Sequence, residues 1–391
     1  MSFLTAARAA RAGQHYFQTT FPAAVAIVSL ALLSLSCGNS GHGTSPGPDH
    51  NAYVTLPARG SVLLLHISGA TGAITLGTET PQVENATPTG LALLPNKKFL
   101  YAMNSLANTI SIFSVAGDAT LSLTAAPTPV GFSPNNAVID PSGTFLLVTN
   151  NFGNDVSVYS IDAGTGALSE VAGSPFYANA SPTNILITPS GKFVFVTNPG
   201  IGFVTAFSFS NGVLTQVPGS PMFSGAGAAA VAVDSSERYL YVVNPQALNP
   251  PPLTTIGNIS AFNIDPNTGA LTKMEGSPFT AANGVGPTAI TVDPTGKFVY
   301  AFTAQSSNSV WCFSITASTG QLVPVASSPF GVNAGGLFAL FDPIGNNLYV
   351  GNQTANGVAG LSRNLSTGAP TPIAGSPFAT HTAPGRMVLS E

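Results

Sequence analysis

Seven stretches of this chain are copies of one another, and no other feature limits its fold so much. Each copy is a tight turn followed by β-branched and aromatic residues that usually end in Asn. They read LPNKKFLYAMN from Leu94, DPSGTFLLVTN from Asp140, TPSGKFVFVTN from Thr188, DSSERYLYVVN from Asp234, DPTGKFVYAFT from Asp293 and DPIGNNLYVGN from Asp342. A truncated copy, AYVTL, runs from Ala52 to Leu56. The copies end at Leu56, Asn104, Asn150, Asn198, Asn244, Thr303 and Asn352, in steps of 48, 46, 48, 46, 59 and 49 residues. A repeat of this length that holds four strand patterns builds propeller blades and not a helical solenoid.

The other strands recur in phase. Before each turn lies a short apolar stretch such as AVID (Ala137 to Asp140), ILIT (Ile185 to Thr188) or ITVD (Ile290 to Asp293), expected innermost in its blade. After the repeated strand come a third, such as VSVYSID from Val156, a Thr-Gly turn at Gly72, Gly166, Gly269, Gly320 or Gly368, and a fourth that leads to Phe176, Phe279, Phe330 or Phe378. The turn glycines supply positive φ, and the repeated phenylalanines are expected between neighbouring blades. The first copy lacks an innermost strand, while Pro384 to Leu389 is a strand with no turn after it. Joining them closes the ring and removes two exposed sheet edges. The fold expected is all-β: a seven-bladed propeller of four-stranded antiparallel blades over residues 51–391, with a proline-rich insertion, Pro245 to Gly257, accounting for the longest step.

Composition agrees with a packed β domain. Hydrophobic residues make 44% of the 391, and the 41 Gly and 32 Pro exclude a coiled coil. Eleven Lys and Arg against fifteen Asp and Glu leave no basic surplus for phosphate, so no nucleic acid is expected. Two cysteines exclude a disulfide framework. Residues 1–36 read as an export signal, with Arg8 and Arg11 ahead of an uncharged run from Ala23 to Leu35. Ser36 before Cys37 resembles a lipoprotein processing site, which implies a diacylated Cys37 and a membrane anchor. Ser34 departs from that pattern, and conventional secretory cleavage is the alternative. Residues 37–50 are a Gly, Ser and Pro tether. The expected location is the cell envelope, as a monomer.

The run LVTNNFGNDVSVYSID, from Leu147 to Asp162, resembles the YVTN-type propeller repeat. With the Thr-Gly turns and Gly-Ser-Pro-Phe segments, residues 51–391 resemble the lactonase family of seven-bladed propellers, which includes 6-phosphogluconolactonase-like proteins. The resemblance implies His and Arg at the starts of innermost strands, as Pro-His-His or Pro-Arg-His. The matching places read Pro134-Asn135-Asn136, Pro182-Thr183-Asn184 and Pro287-Thr288-Ala289; only Pro384-Gly385-Arg386 offers a cation. Opening a lactone needs a base to activate water and donors to hold an oxyanion. Of five histidines, His15, His42 and His50 fall in the leader or tether and His66 within an apolar strand, which leaves His381.

The candidate catalytic residues are therefore His381 and Arg386, with Glu84 or Asp155 as the acidic partner. The candidate ligand-binding amides are Asn136, Asn184, Asn150 and Asn198; for an Asn at a strand end the competing role is to cap its own turn. Asp140, Asp234, Asp293 and Asp342 read as turn formers, and Cys312, beside Trp311 and Phe313, as a buried small hydrophobe. No cofactor and no metal is expected, because no metal-type spacing occurs. Two functions stay open. The favoured one is an anchored binding or assembly module for a glycan, peptide or envelope protein; the other is a hydrolase of sugar or related lactones.

Overall fold

The computed structural model describes residues 48–83, 86–245, 257–280, 286–303, 309–332 and 335–390. The export signal, Cys37, Glu84 and most of the proline-rich insertion lie outside the described residues. The described strands form seven antiparallel sheets, each with four main strands in sequential order from the centre outward. They are numbered here as blades 1 to 7. Blade 1 is the composite one: Met387–Ser390 pairs with His50–Leu56 in the register Asn51 to Ser390 and Val54 to Met387. The ring thus closes as the two incomplete ends require, with the closing strand beginning at Met387 rather than Pro384. Pro384 to Arg386 instead approach Thr55, whose backbone and hydroxyl bond Gly385 and Arg386.

The repeated strand is buried along its whole length, as in Phe193–Asn198 and Tyr239–Asn244, because a blade packs against a neighbour on each face. That explains its unbroken apolar run where a half-exposed strand would alternate. The core follows from this arrangement as a series of clusters, each shared by two adjacent blades. Phe176, Phe279, Phe330 and Phe378 each join one of them.

Two devices tie the units together. The serine of each Gly-Ser-Pro segment or its relative accepts a hydrogen bond from a third-strand amide: Ser174 from Val158, Ser220 from Ala206, Ser277 from Ala261, Ser328 from Cys312 and Ser376 from Gly360, at 2.8 to 3.0 Å. The fourth strands are short, and these hydroxyls satisfy amides that would otherwise be left without a ladder partner. A second-strand tyrosine also reaches into the next blade. Tyr101 donates to the carbonyl of Gly166, Tyr241 to Gly320 and Tyr300 to Gly368, and Tyr349 donates to Gly72 across the ring closure at 2.9 Å. Burial pushes these phenols well above their ordinary value, so each hydroxyl stays a donor.

The turn aspartates act on their own turns: the Asp140 carboxylate accepts from the amides of Thr144 and Phe145 at 2.8 and 2.6 Å. Asp293 adds a contact between blades, a buried ion pair to Arg363 at 2.8 Å. Cys312 is fully buried, and burial raises its thiol to about 12, which leaves it unreactive. No helix among the described residues is long and apolar enough to cross a membrane.

Candidate functional site

In an antiparallel four-stranded blade, the loops after the second and fourth strands share one face of the ring. This upper face is where each innermost strand begins. The innermost strands surround a channel of about 460 Å³ with a mixed lining, in which aliphatic residues such as Val138, Leu186 and Leu340 stand beside the backbone edges that these strands leave unpaired. Small-molecule sites commonly enclose about 300–1,000 Å³.

Polar side chains gather at the upper mouth of this channel. Threonines near the ends of three second strands accept equivalent bonds: Thr149 from the amide of Asn136 at 3.1 Å, Thr197 from Asn184 at 3.1 Å and Thr55 from Arg386 at 2.8 Å. Asn136, Asn184 and Arg386 are therefore the same structural position in blades 3, 4 and 1, and all three line the channel. The Asn136 side-chain oxygen accepts from the Ala137 amide. Among the described residues its NH₂ group, the Asn184 side-chain amide and the Arg386 guanidinium have no hydrogen-bond partner, and no carboxylate pairs with Arg386. Burial lowers the Arg386 pKa to about 10, so the guanidinium remains charged at neutral pH.

A second polar group lies on the rim, between the loops of blades 7 and 1. Arg59 Nε donates to Glu79 Oε1 at 2.7 Å, the Ser61 hydroxyl donates to the same oxygen at 2.5 Å, and His381 Nδ1 lies 3.3 Å from Glu79 Oε2. Partial burial pushes the Glu79 carboxyl up. Bonds from Arg59 and Ser61, the Arg59 charge and the His381 contact more than offset this, so it titrates below its ordinary value of 4.5. Arg59 and His381 are exposed, at 49% and 47% of the side chain, and Glu79 is 18% exposed. Arg59 and Glu79 face a shallow groove with Thr80 and Gln82, which Arg386 does not reach; neither His381 nor Glu79 lines the channel.

The structure thus separates residues that the sequence reading grouped. His381 finds an acidic partner in Glu79, which was not foreseen, and does not share a cavity with Arg386. Asp155 is engaged inside blade 3, accepting from Asn150 Nδ2 at 2.7 Å, and burial raises its pKa. Glu84 lies outside the described residues. Asn136 and Asn184 reach the channel, whereas Asn150 and Asn198 are fully buried in the blade walls. Asn150 bonds Asp155 and Ser157, and Asn198 bonds the carbonyls of Ala178 and Ala180, so these two stitch their own loops and have no surface to offer a ligand. Among the described residues no three His, Cys, Asp or Glu side chains come together as a metal site would need.

Comparison with known proteins agrees with this geometry. The family model described as lactonase, 7-bladed beta-propeller, matches residues 47–185 and 176–383. No curated protein matches the sequence. Among solved structures, a 6-phosphogluconolactonase candidate from Bacteroides uniformis superposes with a TM-score of 0.73 at 18% identity, over 88% of this chain and 100% of its own. A protein from Lactobacillus plantarum gives 0.73 at 17%, over 88% and 100%. The periplasmic gluconolactonase of Pseudomonas aeruginosa gives 0.67 at 18%, over 88% and 99%. Likeness at this identity speaks to the fold alone.

Proposed function

The chain belongs to the seven-bladed β-propeller lactonase family, and on that premise we propose that it is an anchored binding module of the cell envelope that does not open lactones. One observation carries the reading. His381, the upper-face histidine among the described residues, is tied to Glu79 on the rim and shares no cavity with Arg386. Lactone opening needs the base and the oxyanion donors to converge on one carbonyl, with the base within about 3 Å of the attacking water. At the channel mouth, where the family resemblance implies His or Arg, Asn136 and Asn184 offer amides that bind well and take up no proton at neutral pH. Anchoring through Cys37 and export by residues 1–36 complete the proposal and rest on the sequence pattern.

The rim supports a second reading. A histidine held by a carboxylate beside an arginine is the arrangement of a general base with its orienting group, and a lactone seated over the rim would meet His381. Hydrolysis of a lactone panel that includes glucono-δ-lactone and 6-phosphogluconolactone separates the two, with spontaneous opening subtracted. We expect no acceleration; acceleration abolished in His381→Ala would replace the binding module by a rim hydrolase. Labelling cells with radioactive palmitate tests the anchor. Label should enter the wild type and be absent from Cys37→Ser, whereas an unlabelled wild-type chain would leave secretory cleavage as the mode of processing.

A further inference from the structure

Among the described residues four aromatic side chains are exposed, Phe132, Phe152, Tyr177 and Phe223, at 47% to 66%. All four stand on the upper face of blades 2 to 4, in loops after the second or fourth strand or at the end of the fourth, and the exposed Leu106 and Ile201 join them. The rings of Phe132 and Phe152 meet at the step from blade 2 to blade 3, with centroids 5.8 Å apart, and Phe203 pairs with Phe223 at 5.3 Å. The repeat does not ask for these rings. Tyr177 lies opposite Asp155 and Phe223 opposite Phe203, but the same register places Gly331 opposite Ser309 and Ala379 opposite Gly357. Blades 6 and 7 close with a glycine and an alanine where blades 3 and 4 hold a large ring in water. An exposed ring gives up most of the burial that would stabilise it, and several on one arc mark a surface that something covers.

The charge of the arc narrows what that is. Residues 105–108, 129–133, 151–155, 177–183, 199–203 and 223–229 include no Lys or Arg and one acid, Asp155, whose carboxylate accepts from Asn150 Nδ2. Nucleic acid stacks its bases on such rings but needs cations for its phosphates. A face that lies on a membrane carries Lys or Arg for the headgroups, and protein interfaces are enriched in Arg beside their aromatics. What the arc offers besides rings is uncharged amides. Asn108 and Asn154 each engage a neighbouring loop through the side-chain oxygen, accepting from the amides of Ser133 and Ser181 at 2.7 and 2.9 Å. Among the described residues their NH₂ groups have no hydrogen-bond partner.

Resting on the binding-module reading, we propose that the arc of blades 2 to 4 binds a neutral glycan of β-linked hexopyranoses with all-equatorial hydroxyls, whose sugar faces stack on Phe152, Tyr177 and Phe223. Each face of such a sugar presents C–H bonds, which meet an aromatic face without stranding a hydroxyl. The hydroxyls point from the ring edge, where the NH₂ groups of Asn108 and Asn154 donate to them. Neither partner strips water from an ion on binding. Rings spread over three blades form a track and not a pocket, which suits a chain of sugars over a single one.

The test is calorimetric titration of the full-length chain, in a detergent without a sugar head group, with cellohexaose and chitohexaose. Hexagalacturonate is the acidic counterpart, and mannohexaose, with an axial hydroxyl on each ring, the geometric one. Phe152→Ala and Tyr177→Ala each remove a ring that is 66% exposed, so melting should stay within about 2 °C of the wild type and verify the fold. Leu365→Ala, at an exposed residue in a turn of the opposite face, is the control. The expected result is saturable binding of an all-equatorial hexaose, at least about fivefold weaker in either ring variant and unchanged in Leu365→Ala. Binding of neither all-equatorial hexaose, equal binding in the wild type and both ring variants, or tighter binding of mannohexaose or hexagalacturonate would each overturn the proposal. So would a wild type that sediments as a dimer and becomes monomeric in Phe152→Ala, which would assign the arc to a second copy of the chain. Lactone hydrolysis would overturn the binding-module reading instead, whatever the hexaoses do, so the two failures are distinguishable.

Discussion

Arg59 and Arg386 stand on the same upper face and meet opposite environments. Arg59 is half exposed and paired with Glu79 at 2.7 Å, with Ser61 and His381 on the same carboxylate. Arg386 is partly buried at the central channel with no counter-ion among the described residues. A solvated rim pair is close to energetically neutral and asks nothing of a ligand. A cation that burial strips of water and leaves without a counter-ion lowers the stability of the empty protein, and an arriving anion restores it. Function is therefore more readable from the charge the fold leaves unsatisfied than from the histidine that a catalytic motif would favour.

Both regions depend on the closing strand, and removing it is the largest perturbation. Deleting Pro384 to Glu391 takes away Arg386, the buried Met387 and the pairing of Met387–Ser390 with Asn51 to Val54, and exposes the edge of His50–Leu56. We expect a loss on the order of 5 kcal/mol or more, from the buried side chain and the opened ladder together. Calorimetry should show a Tm lower by more than roughly 10 °C, or no cooperative transition. Unchanged melting would mean that the ring is not held shut by this strand.

Arg386→Met sharpens the contrast directly. Exchanging a desolvated cation without a counter-ion for an uncharged side chain should stabilise the ligand-free protein by about 1–3 kcal/mol. Arg59→Met should be neutral or slightly destabilising, because it breaks a solvated pair and leaves Glu79 without its main donor. The two melting temperatures should move in opposite directions. If both fall, Arg386 is a structural residue and the channel argument fails with it.

The limits of the sequence follow from the same two places. The repeat fixes the number of blades, their strand order and the composite first blade, because a period with matched turns permits few other arrangements. It also identifies Arg386 as equivalent to Asn136 and Asn184, since all three follow a proline at the start of an innermost strand, separated from it by one residue. Which cations are paired is not legible. Glu79 is 302 residues from His381 and ends a fourth strand in a stretch, TLGTETPQ, with no motif around it. Only closure of the ring brings blade 7 against blade 1 and joins them. Asn150 and Asn184 are likewise indistinguishable by type; their positions in the blade send one into the wall and the other to the channel.

Glu79 gives the rim a pH signature that the channel lacks. Its folded pKa is depressed, so its contribution to stability is present above the unfolded carboxylate value and is lost as pH falls through the folded one. Melting followed from pH 6 down to pH 3 should therefore decline less steeply in Glu79→Gln than in the wild type, with the difference gathering below the ordinary value of 4.5. Arg386→Met should run parallel to the wild type across that window. Parallel curves for Glu79→Gln would show that the rim contacts do not persist in solution.

His381→Ala should have the smallest effect. The His381 ring is 47% exposed, and its one bond is a 3.3 Å contact with a carboxylate that keeps Arg59 and Ser61 when the ring is removed. An exposed pair of this kind is worth about 0–1 kcal/mol. The backbone at this position has φ of 67°, left-handed for either side chain, so alanine inherits the strain without adding to it. We expect melting within about 1 °C of the wild type. His381→Gly separates the two contributions, since glycine loses the contact but relieves the left-handed strain, and it should melt at or slightly above His381→Ala. A large loss in either variant would show that the rim contact carries stability of its own and would dissolve the distinction between rim and channel.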